Sequence, residues 1–158
     1  MNSWSILSKL GYFSSRGSLT PGSNREQAQD DETQDAPKQA RILIVEDEAG
    51  IRDLLEELLF MEGYRITAVD NGSDGVSRFT EEDHDLVFTD LRMPGMSGWD
   101  VAKAVKSHNS RTPVVMVTGW DTEALGSELS DTGVDHILQK PFDMAAVLKL
   151  VSELLAAA

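Results

Sequence analysis

The sequence predicts an α/β protein built on an open, doubly wound sheet of five parallel strands with five helices. Three observations carry this. From Arg41 onward, short apolar runs alternate in strict order with segments of helical period. Three of those runs are almost uninterrupted by polar residues, as strands covered on both faces require. The alternation makes five βα repeats, which right-handed crossovers turn into parallel strands. A closed barrel would need eight repeats.

The strands are read at RILIV (41–45), YRITAV (64–69), DLVFT (85–89), PVVMVT (113–118) and DHILQ (135–139). In the first helix Ile51, Leu54, Leu55, Leu58 and Leu59 recur at helical spacing, and Gly63 stops it. The second helix runs from about Ser73 to Glu82 with Val76 and Phe79 inward. The third spans Gly98 to Ser107 with Val101 and Val105 inward, after a tight turn at Pro94 and Gly95. The fourth, TEALGSELSDTG (122–133), is poor in apolar residues and interrupted by Gly126. Asp143 is the expected N-cap of the last, whose stripe is Val147, Val151 and Leu154.

Residues 1–40 read as a disordered leader, since residues 14–40 have almost no large apolar side chain to offset their ordering entropy. Within it Trp4, Ile6, Leu7, Leu10, Tyr12 and Phe13 form a short apolar segment, a docking peptide or a frayed end. The folded part is expected at 41–158, with no output domain after the last helix. Net charge is −13, and residues 41–158 alone hold 22 acidic against 10 basic side chains. Such a surface repels phosphate backbones, which argues against nucleic-acid binding. Cysteine is absent, which removes disulfides, thiolate ligands and thiol nucleophiles. No apolar run is long enough for membrane insertion. A cytoplasmic location is the expectation.

In open parallel sheets the functional crevice lies beyond the carboxyl ends of the strands. Glu46, Asp47 and Glu48 follow the first strand; Asp90 ends the third; Thr118 ends the fourth; Lys140 and Pro141 follow the fifth. Carboxylates at Asp47 and Asp90 on neighbouring strands would repel, and a hard divalent cation relieves that conflict. An all-oxygen set with room for water suits Mg2+. A cation, an ammonium and a hydroxyl around one carboxylate suit a phosphoryl group, with a carboxylate as nucleophile.

These residues resemble a known family, the receiver domains of two-component response regulators, from residue 41 to about 156. The resemblance rests on ILIVEDE, DLVFTDLRMPGMSGWD, the Thr118-Gly119 pair and the Lys140-Pro141-Phe142 run. It implies a flavodoxin-like strand order 2-1-3-4-5 and a single-domain type like the chemotaxis regulators. Asp90 would be the phosphoacceptor, taking its group from a sensor histidine kinase or a histidine phosphotransfer protein. Mg2+ would be held by Asp47, Asp90 and the backbone carbonyl of Arg92, with Glu46 acting through a water. Lys140, aimed inward by a cis bond to the following Pro141, would pair with Asp90 and then with phosphoryl oxygens. Thr118 would swing toward them. The chain would not be an enzyme in the ordinary sense, though it would assist its own phosphorylation and dephosphorylation. Its output would be phosphorylation-dependent binding to an unidentified protein target.

Ile137 departs from the family, which often has Tyr or Phe at this switch position three residues before the lysine. Arg92 and Trp120, each two residues beyond a key position, are read as modulating groups that shield the acyl phosphate. Two other functions are weighed. One is a phosphorelay intermediate that hands the group to another histidine. The other is a Mg2+-dependent aspartyl-phosphate hydrolase of the dehalogenase type. That type needs Asp-x-Asp after the first strand, where this chain has Glu46 and Glu48.

Overall fold

The structure is a computed structural model that describes residues 39–120 and 132–158. Five strands, β1 (Arg41–Val45), β2 (Arg65–Val69), β3 (Leu86–Asp90), β4 (Val114–Thr118) and β5 (His136–Gln139), form one parallel sheet in the order β2-β1-β3-β4-β5. Four helices lie among the described residues: α1 (Ala49–Met61), α2 (Gly72–Glu81), α3 (Gly98–His108) and α4 (Met144–Ala156). The helix expected over 122–133 falls outside the described residues except for Thr132 and Gly133. The leader read at 1–40 likewise falls outside them except for Gln39 and Ala40.

All residues of β3 and β4 are buried, as their unbroken apolar runs require of central strands. One face of the sheet packs Ile42, Ile44, Leu86, Phe88, Val115 and Val117 against Leu55 and Leu59 of α1 and Val147 and Val151 of α4. The other packs Leu43, Val45, Val87 and Val114 against Phe79 of α2 and Val101, Ala102 and Val105 of α3. The α1 stripe is narrower than its spacing suggests. Leu55 and Leu59 are buried and Ile51 and Leu58 pack half-buried on the same cluster, but Leu54 is exposed. Gly63, with φ 89°, stands just past the C-cap Glu62 and admits the left-handed turn into β2.

At the N-terminal rim two aspartates pin strand starts. The carboxylate of Asp85 accepts the Arg41 N–H at 2.7 Å, and the Asp85 N–H donates to the Arg41 carbonyl at 2.7 Å. Asp135 repeats the pattern with Val114, at 2.7 and 2.9 Å, and also pairs with Lys106 at 2.7 Å. Arg41 further pairs with Glu82. Beside them His84 is buried and stacks on Phe79, whose ring meets His108 edge-on.

A charged rim at the carboxyl ends of the strands

Parallel pairing sets Val45 level with Thr89 and Asp90 level with Val117, so the residues after β1 meet the end of β3. Two backbone bonds fix this corner: Glu46 N–H to Val69 O and Leu91 N–H to Val117 O, both 3.1 Å. Carboxylate oxygens of Glu46, Asp47 and Asp90 can all lie within 4.8 Å of one another. Asp47 is exposed, whereas Asp90 is buried and Glu46 almost wholly so, at 1% exposure.

The fold brings Lys140 to this cluster from the other side. The Lys140-Pro141 bond is cis, as expected, and Nζ stands 3.3 Å from Asp90 Oδ1. It stands closer still, 3.0 Å, to Glu46 Oε2, a pairing the sequence reading did not contain. The Glu46 contact is an ion pair without hydrogen-bond alignment, so Oε2 is a buried oxygen lacking a hydrogen-bond partner. Its other oxygen accepts the Glu48 N–H at 3.1 Å.

Burial dominates the electrostatics. Desolvation raises the carboxyl of Glu46 above its ordinary value, with the charge of Asp90 adding to it, against the pull of Lys140. Burial likewise raises Asp90, helped by Asp47 and opposed by Lys140. Burial pulls Lys140 down, but Glu46 and Asp90 together outweigh it and leave the ammonium raised. One lysine thus compensates a three-carboxylate cluster incompletely. The donor set is all oxygen, which fits a hard cation such as Mg2+.

Thr118 is buried beside this corner, and its Oγ1 accepts the Trp120 N–H at 3.1 Å. Its carbonyl accepts the Lys140 N–H at 2.7 Å, which ties β4 to the lysine. Arg92 and Trp120, from the loops after β3 and β4, meet directly: the guanidinium carbon lies 5.1 Å from the indole centre. Ile137, at the switch position, is half-buried against Leu91 and Met116. The sequence reading missed Arg52, which donates to the carbonyls of Glu46 and Asp47 at 2.8 and 3.4 Å. Its signal was slight, an arginine one turn into a helix after an acidic loop. Also unread was the α3 capping box of Ser97 and Asp100, legible as Ser-x-x-Asp.

The rim is shallow. A cleft of about 440 Å³, lined by Phe79, His84 and His108 among others, lies at the opposite end of the sheet.

Comparison with known proteins agrees with this geometry. A family model described as the response regulator receiver domain matches residues 42–152. The transcriptional regulatory protein ResD of Bacillus subtilis is 35% identical over 121 residues, 77% of this chain and 50% of that protein. The sensory transduction protein RegX3 of Mycolicibacterium smegmatis is 38% identical over 117 residues, 72% and 50% of the two chains. The chain thus spans about half the length of these curated relatives. Among solved structures, response regulator TrrA of Thermotoga maritima in complex with Mg(2+)-BeF is similar at TM-score 0.67 and 34% identity, covering 73% of this chain and 99% of that one. Chemotaxis protein CheY4 of Vibrio cholerae is similar at TM-score 0.69 and 27% identity, covering 73% and 98%.

Proposed function

This chain belongs to the response regulator receiver domain family, and from that premise we propose that Asp90 accepts a phosphoryl group, with Mg2+, from a phosphohistidine. The observation that carries the proposal is the Glu46–Asp47–Asp90 cluster with the ammonium of Lys140 against it. Asp47, Asp90 and the Arg92 carbonyl would hold the cation, with Glu46 behind them. Bound there, Mg2+ would neutralise charge on the phosphoryl oxygens. An Asp90 oxygen forms the new bond to phosphorus as the nitrogen–phosphorus bond of the donor breaks, and the imidazole leaves with the electron pair. Lys140 then turns from a carboxylate partner into a partner for the transferred group, and the Thr118 hydroxyl donates to it.

Signalling follows from movement of Thr118. Its Oγ1 now accepts the Trp120 N–H, so a turn toward the phosphoryl group pulls on the loop after β4. Ile137 offers no ring to follow it, so loop movement carries the change to a protein target. On this reading 41–158 is the receiver unit and 1–40 precedes it. The chain carries the phosphoryl group as a signal, and it also helps its own dephosphorylation.

The test is incubation of the full chain with Mg2+ and acetyl phosphate, wild type against Asp90→Ala. Labelling of the wild type alone is expected; equal labelling of both, or of neither, defeats the assignment. In the same reading the Arg92–Trp120 pair bridges the site and hinders the hydrolytic water. Trp120→Ala is expected to shorten the phosphorylated lifetime several-fold, and an unchanged dephosphorylation rate would remove that role.

A further inference from the structure

The first residue of α3 lies against the backbone of Asp90 itself. A β-carbon built at Gly98 would stand 2.2 Å from the Asp90 carbonyl oxygen, 3.0 Å from its carbonyl carbon and 2.8 Å from Sδ of Met116. Carbon atoms in contact prefer roughly 3.5–4 Å, so any side chain here forces atoms apart. Met116 Sδ, on a flexible chain, can swing away. The Asp90 carbonyl belongs to the strand and can yield only by moving its peptide.

Conformation does not explain the glycine. Positive φ values occur at Gly63, Gly95 and Gly133, whereas Gly98 is an ordinary helical residue behind the Ser97 cap. Proximity alone calls for it. At Gly72 and Gly75 the nearest obstacles are side-chain atoms of Met96 and Val45, so those positions serve packing. At Gly98 the nearest atom is the main chain of the acidic residue at the centre of the site. That contact is held from several sides. Gly98 N–H donates to Leu91 O at 3.0 Å, Leu91 N–H to Val117 O at 3.1 Å, and the Thr89 hydroxyl to Asp90 O at 3.1 Å.

We propose that Gly98 is a positioning residue for phosphoryl acceptance: its bare α-carbon lets α3 press on the Asp90 carbonyl and hold the carboxylate beside Asp47 and Lys140. The proposal rests on Asp90 being the phosphoacceptor. An added methyl group displaces the Asp90 peptide by about 1 Å, an error on the scale that costs transfer reactions ~100-fold.

The experiment uses the full chain. Labelling rate constants with acetyl phosphate are measured across donor and Mg2+ concentrations for wild type, Gly98→Ala, Gly98→Ala/Met116→Ala and Leu59→Ala. The folded fraction is taken from circular dichroism, and amide resonances of Leu91 and Trp120 are followed by NMR. Gly98→Ala is expected to fold and to label about 10- to 100-fold more slowly at saturating Mg2+, with both resonances displaced before Mg2+ is added. The double variant stays slow, because only the sulfur contact is relieved. Leu59→Ala, which opens the core at α1, labels at the wild-type rate per folded molecule. A wild-type rate for Gly98→Ala overturns the proposal. So does recovery in the double variant, which makes Met116 the obstacle, and so does failure of both glycine variants to fold, which makes the glycine a requirement of the fold. An unlabelled wild type is a different failure: it removes Asp90 as the phosphoacceptor and leaves the contact at Gly98 as it stands.

Discussion

At the N-terminal rim of the sheet, Asp85 and Asp135 each accept a backbone amide hydrogen at 2.7 Å, and Arg41 and Lys106 pair with acidic neighbours. At the C-terminal rim, five residues further along β3, three carboxylates crowd around one lysine and a buried oxygen of Glu46 lacks a hydrogen bond. The side-chain types are the same at both ends. What differs is charge balance: one rim pairs its carboxylates with amide hydrogens, an arginine and a lysine, and the other crowds three carboxylates around a single lysine. A folded protein tolerates the second arrangement where another ligand completes it.

Exchanging a carboxylate at each rim should separate stability from function most sharply. Asp90→Ala is expected to abolish phosphorylation while leaving the metal-free fold at least as stable, because a buried, crowded carboxylate is removed. Asp85→Ala is expected to keep phosphorylation and to lose about 1–3 kcal/mol, the cost of leaving a strand-end amide without its charged acceptor. Urea unfolding with parallel labelling assays reads both. Loss of stability in the first, or of labelling in the second, breaks the contrast.

Proton linkage gives the next largest effect. Glu46 and Asp90 are raised by burial above their unfolded values, so the fold favours their protonated forms. Their contribution to stability is complete below the unfolded values near pH 4 and is lost as pH rises through the raised ones. Mg2+ needs the ionised forms. Stabilisation by saturating Mg2+, measured as a shift in Tm, is therefore expected to weaken as pH falls toward the unfolded values near 4. A shift independent of pH would mean that these carboxylates do not hold the metal.

The smallest effect belongs to the N-terminal rim. Burial lowers His84, outweighing the Glu82 carbonyl at Nδ1, while Arg41 also lowers it and Glu82 and Asp85 oppose. His108 faces the same Phe79 ring from α3. A lowered histidine contributes stability that is present above its unfolded value near 6.5 and lost as pH falls through the folded one. His84→Phe should flatten the decline in Tm below pH 6.5 by a few degrees at most. An unaltered slope would place the titrating group elsewhere.

Sequence reading was strongest where burial leaves a continuous signature. The strands were legible to within one residue because β1, β3 and β4 are apolar runs, and the rim residues were legible because each ends or closely follows a strand. β3 extends one residue further than read, since Asp90 itself pairs in register with Val117. Contacts across the fold were harder to see. Arg92 and Trp120 stood out by position, but their meeting depends on the paths of two loops. The nearness of Lys140 to Glu46 and the reach of Arg52 to the acidic loop depend on side-chain trajectories that no spacing encodes. Asp85 and Asp135 looked like ordinary loop charges, because their partners lie 44 and 21 residues away.

Asp85 and Asp90 bracket β3, one fastened to the start of β1 and the other facing the end of β4. At about 3.3 Å per residue, the strand sets them roughly 16 Å apart and turns successive side chains to opposite faces. β3 therefore works as a ruler with a fixed zero. Deleting or inserting one residue between its two marks would shift Asp90 by one step and rotate it to the wrong face, with every core residue still apolar. The length of this strand is as much a part of the site as the carboxylate at its end.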